Sequence, residues 1–260
     1  MNSNKLELTL ELVRDYANND LKHFTDIVRT AFTNVDPVFL RPRYDKFFWH
    51  CAGSVPGWMA QVVLANADAE SDGSNKLLKL WQSVNYNEFI EEKVLFHARD
   101  EARHSRLFVK LARMAFPSLI GKKDANAKKD SLVRIKKDML IKSEFIVNEL
   151  TLIDHLVQMN MGEIRTRLHM ELLGPAIHAF SPENSKSKVK AILNGLSHDE
   201  VVHISYIASL IESWCETGDK KQLLILYRNR LQDFHEFTIR QTESAVNSYG
   251  AGRFPDLLEI

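Results

Sequence analysis

The chain has 260 residues, enough for one large domain or two small ones with a sizeable core. Hydrophobic residues at 45% and charged residues at 26% exclude disorder as the main state. Basic and acidic residues number 34 each, so the basic excess on which nonspecific binding to nucleic acid or anionic membranes leans is missing. Nucleic acid and membrane therefore fall outside the expected partners.

Glycine and proline, at 10 and 7 residues, are scarce, which means few turns and long elements and points to helix. Two cysteines, Cys51 and Cys215, build neither a disulfide framework nor a zinc knuckle, and they set a reducing cytoplasm as the expected location. The first residues lack the charged-then-apolar pattern of a signal peptide. The stretch from Phe47 to Ala67 has no charged residue. It does contain His50, Gly53, Pro56, Gln61 and Asn66, which are costly in hydrocarbon, so it reads as protein interior.

In chain order, residues 5–33 read as one or two amphipathic helices, broken near Asn18, Asn19 and Asp20. Pro37 and Pro42 mark an irregular crossing, and a helix is expected to start near Pro56. Asn85, Tyr86 and Asn87 read as a turn, followed by a long helix to about Ala115 that Pro117 ends. Residues 117–130 read as a polar, basic, solvated loop. A second long helical pattern covers about Ser131 to Leu173, with a break or kink at Gly174 and Pro175. Ser181, Pro182 and Glu183 make a good helix start, and that helix runs to about Cys215. After Gly218 a last helix covers roughly residues 220–248, with an irregular tail from Gly250. No region reads as strand-rich, so the expected class is all-α.

Two segments carry ionisable groups where a bundle seam should be apolar. Each contains Asp-Glu-x-x-His: Asp100, Glu101 and His104 in the first, Asp199, Glu200 and His203 in the second. On a helix, residues three apart share a face, so both side chains reach one metal ion. With 18 glutamates and 10 histidines, chance alone supplies roughly one such pair, and the spacing by itself carries little. The setting carries more. The first pair lies on the seam Ile90, Val94, His97, Glu101, His104, Phe108, Leu111 and Ala115. The second lies on Val189, Leu193, Leu196, Glu200, His203, Ile207, Leu210 and Trp214. A carboxylate and an imidazole between apolar neighbours are expensive unless paired or metal-bound.

A di-metal bundle also needs one carboxylate from each of two partner helices. For Glu101 the candidate is Glu70, since the halfway point between them falls in the Asn85–Asn87 turn. Its seam runs Met59, Val63, Asn66, Glu70, Gly73, Leu77, Leu80 and Val84, and Gly73 there marks a kink or space for a ligand. For Glu200 the preferred candidate is Glu163, whose halfway point falls at Ser181 and Pro182. Glu149, which would centre the turn at Gly174 and Pro175, and then Glu171 are the substitutes. His97, one turn before Glu101, faces the same side as a third ligand or as a histidine hydrogen-bonded nearby. Tyr206 and the two cysteines read as packing groups, and His50, His155, His169, His178 and His235 as structural.

One Glu followed by Glu-x-x-His, twice over on four helices, resembles the ferritin-like di-iron carboxylate proteins over roughly residues 56–215. His97 with Glu101 and His104 looks more particularly like the p-aminobenzoate N-oxygenase type, although in that type the extra histidine lies in the second half, where this chain has Leu196. The resemblance implies a single ferritin-like helical domain over residues 1–260, a four-helix bundle with additional N- and C-terminal helices. It implies a metal site of Glu70, Glu101, His104, Glu163, Glu200 and His203, with His97 in addition, and Asp100 and Asp199 as crosswise partners of the ligand histidines. The cofactor expected is two iron ions, or an iron–manganese pair, since carboxylate and imidazole donors suit those metals. The implied activity is a non-haem di-iron oxygenase that uses O2 to hydroxylate or N-oxygenate a small organic substrate, with electrons from a reductase or the substrate. Iron oxidation or storage and tRNA-modifying hydroxylation are the alternatives, and a homodimer is the oligomer to look for.

Overall fold

The computed structural model describes residues 3–85 and 87–248. Among these there are nine α-helices and no strand, in line with the all-α class. They are α1 (Ser3–Ala17), α2 (Lys22–Val35), α3 (Pro42–Ser54), α4 (Trp58–Ser83), α5 (Glu88–Ala115), α6 (Lys122–Ser131), α7 (Glu149–Phe180), α8 (Glu183–Thr217) and α9 (Lys220–Ser248). No helix among the described residues is long and apolar enough to cross a membrane. The irregular tail expected from Gly250, and Tyr86 of the expected turn, lie outside the described residues.

Contacts group the chain into two units. Among the described residues, one comprises residues 3–55, 156–173 and 200–248, the other residues 56–85, 87–155 and 174–199, so α7 and α8 contribute segments to both.

In the first unit, α2 packs against α9, and a 3₁₀ turn at Val38–Leu40 joins α2 to α3. Helix α2 starts after Leu21, whose backbone is left-handed and which offers no side-chain cap. The missing cap comes from α8: the Glu212 carboxylate accepts from His23 N at 3.0 Å and Phe24 N at 2.8 Å, filling two of the open donors of the first turn. His235 has a similar anchoring role, since its Nδ1 accepts from Val38 N at 3.0 Å. Helix α3 was not expected from the sequence, which reads only an irregular crossing there. It forms because Pro42 sits in its first turn and Tyr44, Phe47, Phe48, Cys51 and Ala52 fall on one buried face.

In the second unit, α4 and α5 pack along their length and α6 lies against α5. Helix α4 begins after Gly57, which takes φ 78°, a value an L side chain rarely adopts. Asn87 caps α5 by accepting from Ile90 N at 2.8 Å, as the turn reading of Asn85–Asn87 requires. Three expectations are corrected here. The basic stretch before residue 131 forms α6 rather than a loop. Its only buried side chain is Ala125, so no apolar period announces it, and Asp124 closes its first turn by accepting from Gly121 N. Residues 132–148 are not helical apart from a 3₁₀ turn at Lys137–Met139. Their backbone is satisfied from α4: Val133 N donates to Ser71 Oγ, Ser143 N to Gln82 O and Val147 N to Ser83 O. Finally, α7 does not break at Gly174 and Pro175 but runs on to Phe180. Leu172, Leu173, Ala176 and Ile177 are all buried around the proline, and that packing outweighs the roughly 3 kcal/mol a helical proline costs.

Candidate metal site

In the second unit, α4 brings Glu70 and α5 brings His97, Glu101 and His104 to one buried place. The whole α5 seam expected from the sequence, from Ile90 to Ala115, is buried. His104 Nδ1 lies 3.4 Å from Glu101 Oε1 and 3.8 Å from Glu70 Oε2. His97 Nε2 lies 3.7 Å from Glu101 Oε1. Glu70, Glu101 and His104 each offer a ligand atom, and these atoms all lie within 4.8 Å of one another. Two donors about 2.0–2.2 Å from a common ion are separated by roughly 3.0–3.6 Å at octahedral to trigonal angles. The 3.4 Å spacing falls in that range and the 3.7 and 3.8 Å spacings lie just above it, so the group could hold a cation.

The other nitrogen of His104 is held from α8. Its Nε2 is 3.2 Å from Asp199 Oδ2, and Arg103 donates to the same oxygen at 2.7 Å and to Asp100 Oδ1 at 2.9 Å. A carboxylate accepts only, so this contact places a proton on His104 Nε2 and leaves Nδ1 facing Glu101 and Glu70, where the neutral ring could ligate an ion. Burial pushes the Asp199 carboxyl up, but hydrogen bonds from His104 and Arg103 outweigh it and hold Asp199 well below the usual carboxylate range. Asp199 thus contacts His104, a histidine it was expected to partner. Gly73, the glycine noted in the Glu70 seam, stands directly against the site, where a Cβ would lie 3.1 Å from Glu101 Oε2.

In the first unit, Glu163 of α7 and Glu200 and His203 of α8 are all buried. Glu163 Oε2 lies 3.8 Å from His203 Nδ1. The alternative Glu149 is exposed in the first turn of α7, and Glu171 pairs with Arg167 at 2.6 Å. The same unit holds a second buried polar group that the sequence reading did not single out. Tyr227 Oη donates to Asn160 Oδ1 at 3.1 Å, and Asn160 Nδ2 donates to Ile204 O at 3.2 Å. Tyr206 is buried, as expected of a packing residue. Cys51 and Cys215 are buried too, and burial pushes their thiols up to about 12 and about 11, away from any reactive thiolate.

Both Glu-x-x-His segments thus deliver a buried carboxylate–imidazole cluster, and the donor set could hold metal. Arg103 escaped the sequence reading because its partner Asp199 is 96 residues away. No protein-family model, no curated protein and no solved structure matches this chain.

Proposed function

We propose that the chain is a non-haem di-iron oxygenase of ferritin-like build, with Glu70, Glu101, His104, Glu163, Glu200 and His203 as the ligands of two iron ions. The observation that carries this reading is the cluster of Glu70, Glu101 and His104 within 4.8 Å, with His104 oriented by Asp199 so that its Nδ1 faces the carboxylates. The buried Glu163, Glu200 and His203 repeat the same donor types around the second motif. Four carboxylates neutralise two divalent ions, which is the charge balance a water-poor site needs. Carboxylate and imidazole donors favour iron or manganese over the ions that select thiolates. His97, which reaches Glu101 rather than solvent, is a further ligand or a donor that orients Glu101.

Held by these residues, a pair of ferrous ions would supply the reducing power that activation of O2 needs, and the two electrons spent per turnover would be restored by a reductase or by the substrate. The chain's own contribution is placement and exclusion. Apolar residues above and below the ligands on α5, among them Val94, Phe108 and Leu111, keep water away. Asp199 and Arg103 fix the ring of His104, and the absence of a side chain at Gly73 leaves Glu101 room to move.

The test is metal content after anaerobic loading with ferrous iron, in the parent and in Glu101→Ala and Glu200→Ala. About two irons per chain in the parent and a loss in both variants support the reading, followed by product analysis after O2 exposure with arylamines and aromatic acids. A parent without stoichiometric metal overturns it. Iron that is bound and oxidised, with no organic product from any amine or aromatic offered, turns the reading to iron oxidation.

A further inference from the structure

The outer side of α5 presents a second feature. Arg99, Arg103, Arg106 and Lys110 follow one another at helical spacing and, with Leu107 and Lys129 of α6, line a concavity of about 410 Å³. No carboxylate belongs to its lining. Among the described residues Arg99, Arg106, Lys110 and Lys129 take part in no ion pair. Like charges one turn apart on a helix cost a few tenths of a kcal/mol per pair, so this set is held together against its own repulsion.

Two of the guanidinium groups are fixed in advance. Arg103 is anchored by Asp100 and Asp199 at one edge. Arg106 donates through one nitrogen to Ala102 O and to Val133 O, which leaves its remaining N–H groups for another acceptor. Planar donors held in place, with two lysines beside them, are the arrangement that recognises phosphate oxygens. The chain as a whole is neutral, so the positive charge is local and not part of a long track for a polymer. A volume of this size is that of a small-molecule pocket.

We infer that this concavity is a binding site for a small molecule carrying two or more phosphate groups, separate from the His/Glu cluster. Arg106 and Lys110 grip the phosphates from α5, Lys129 closes over them from α6, and Arg99 and Arg103 form the rim.

The probe is inorganic pyrophosphate, titrated calorimetrically into the full chain at low salt. The variants are Lys110→Gln, Lys129→Gln and Arg106→Gln, with Lys188→Gln as a control on an exposed lysine outside the lining. Among the described residues Lys110 and Lys129 make no ion pair, so their replacement is expected to leave the fold intact, and circular dichroism checks this for all three lining variants. Expected is one saturable site per chain, weakened about tenfold or more by each lining variant and unchanged by the control. Lack of saturable binding at millimolar pyrophosphate overturns the inference, as does equal weakening by Lys188→Gln. An RNA oligonucleotide that binds more tightly than pyrophosphate and depends on the same residues also overturns it, in favour of a polymer. The readout is heat of anion binding and not iron, so this inference and the di-iron reading fail separately.

Discussion

Replacing Gly73 by alanine separates the stability of α4 from the needs of the metal site. Glycine in the interior of a helix costs about 1 kcal/mol relative to alanine. The new Cβ would stand 3.1 Å from Glu101 Oε2, whereas ordinary contact begins at 3.4 Å, so the carboxylate must retreat by a few tenths of an ångström. In metal-free protein that oxygen ends a flexible side chain and gives way. Gly73→Ala is then expected to gain up to about 1 kcal/mol, roughly 2–4 °C in melting midpoint for a chain of this size. With metal bound, the carboxylate is pinned about 2.0–2.2 Å from the ion, and ligand distances tolerate only about 0.2 Å. The same displacement is expected to weaken binding about tenfold, or 1.4 kcal/mol. Melts in chelator give the first quantity, and competition titration with Mn2+ as an oxygen-stable probe gives the second. A variant that is more stable without metal and binds Mn2+ as tightly as the parent would refute the idea that this glycine makes room for a ligating carboxylate. A variant that loses several kcal/mol without metal would show Glu101 locked by protein contacts alone.

Three further outcomes are expected. Asp199→Asn removes the charge that orients His104, and metal affinity should drop about 10–100-fold; unchanged affinity would remove Asp199 from the site. Glu212→Ala strips the cap from α2 and should cost about 1–2 kcal/mol in urea unfolding, whereas a loss under 0.5 kcal/mol would mean that water replaces the carboxylate. His169 lies against Tyr44 and Phe48, and burial, with Arg165 and Lys5 adding to it, lowers its pKa to about 3. The folded chain therefore binds fewer protons than the unfolded one below pH 6.5, so this contribution is complete above that pH and is lost as pH falls toward 3. Between pH 6.5 and pH 5 the loss is on the order of 1–2 kcal/mol, and His169→Leu should flatten that slope in urea melts.

How much could be read beforehand depended on whether a segment answers to its own pattern or to a distant partner. On α5 the 4–3 spacing from Ile90 to Ala115 is strict and every member is buried. On α8, 35 residues long, the same spacing drifts. Ile204 and Ile211 take the buried positions, while Leu210 and Trp214 are only half-buried, because 3.6 residues per turn does not keep step with a seven-residue repeat. Residues 122–131 and 132–148 fail in opposite directions. The first is helical with almost nothing to bury, and the second carries apolar residues but takes its hydrogen bonds from Ser71, Gln82 and Ser83 of α4. Neither fact is local. The same holds for Arg103, whose place beside His104 depends on Asp199. The ligand candidates were legible because they break an otherwise apolar stripe. The arginine that braces Asp199 was not.

The cost of the buried cluster bears on what it is for. Two ionised carboxylates about 4 Å apart repel by roughly 4 kcal/mol at the effective dielectric of a protein edge, several times the worth of a typical hydrogen bond. Glu70 and Glu101 both lie within 4.8 Å of His104 and of each other through their ligand atoms. An imidazolium at His104 meets one of the two charges. A divalent ion meets both and accepts all three lone pairs. The apolar stripe on either side, Ile90 and Val94 before the cluster and Phe108 and Leu111 after it, is what lets the chain carry such a group before any ion arrives. Burial of four such side chains contributes on the order of 6–12 kcal/mol, enough to outlast the repulsion. On the proposed reading folding precedes metal loading, and metal bound there would add stability in proportion to the logarithm of its free concentration over its dissociation constant. A purely structural network would show no such dependence on added metal.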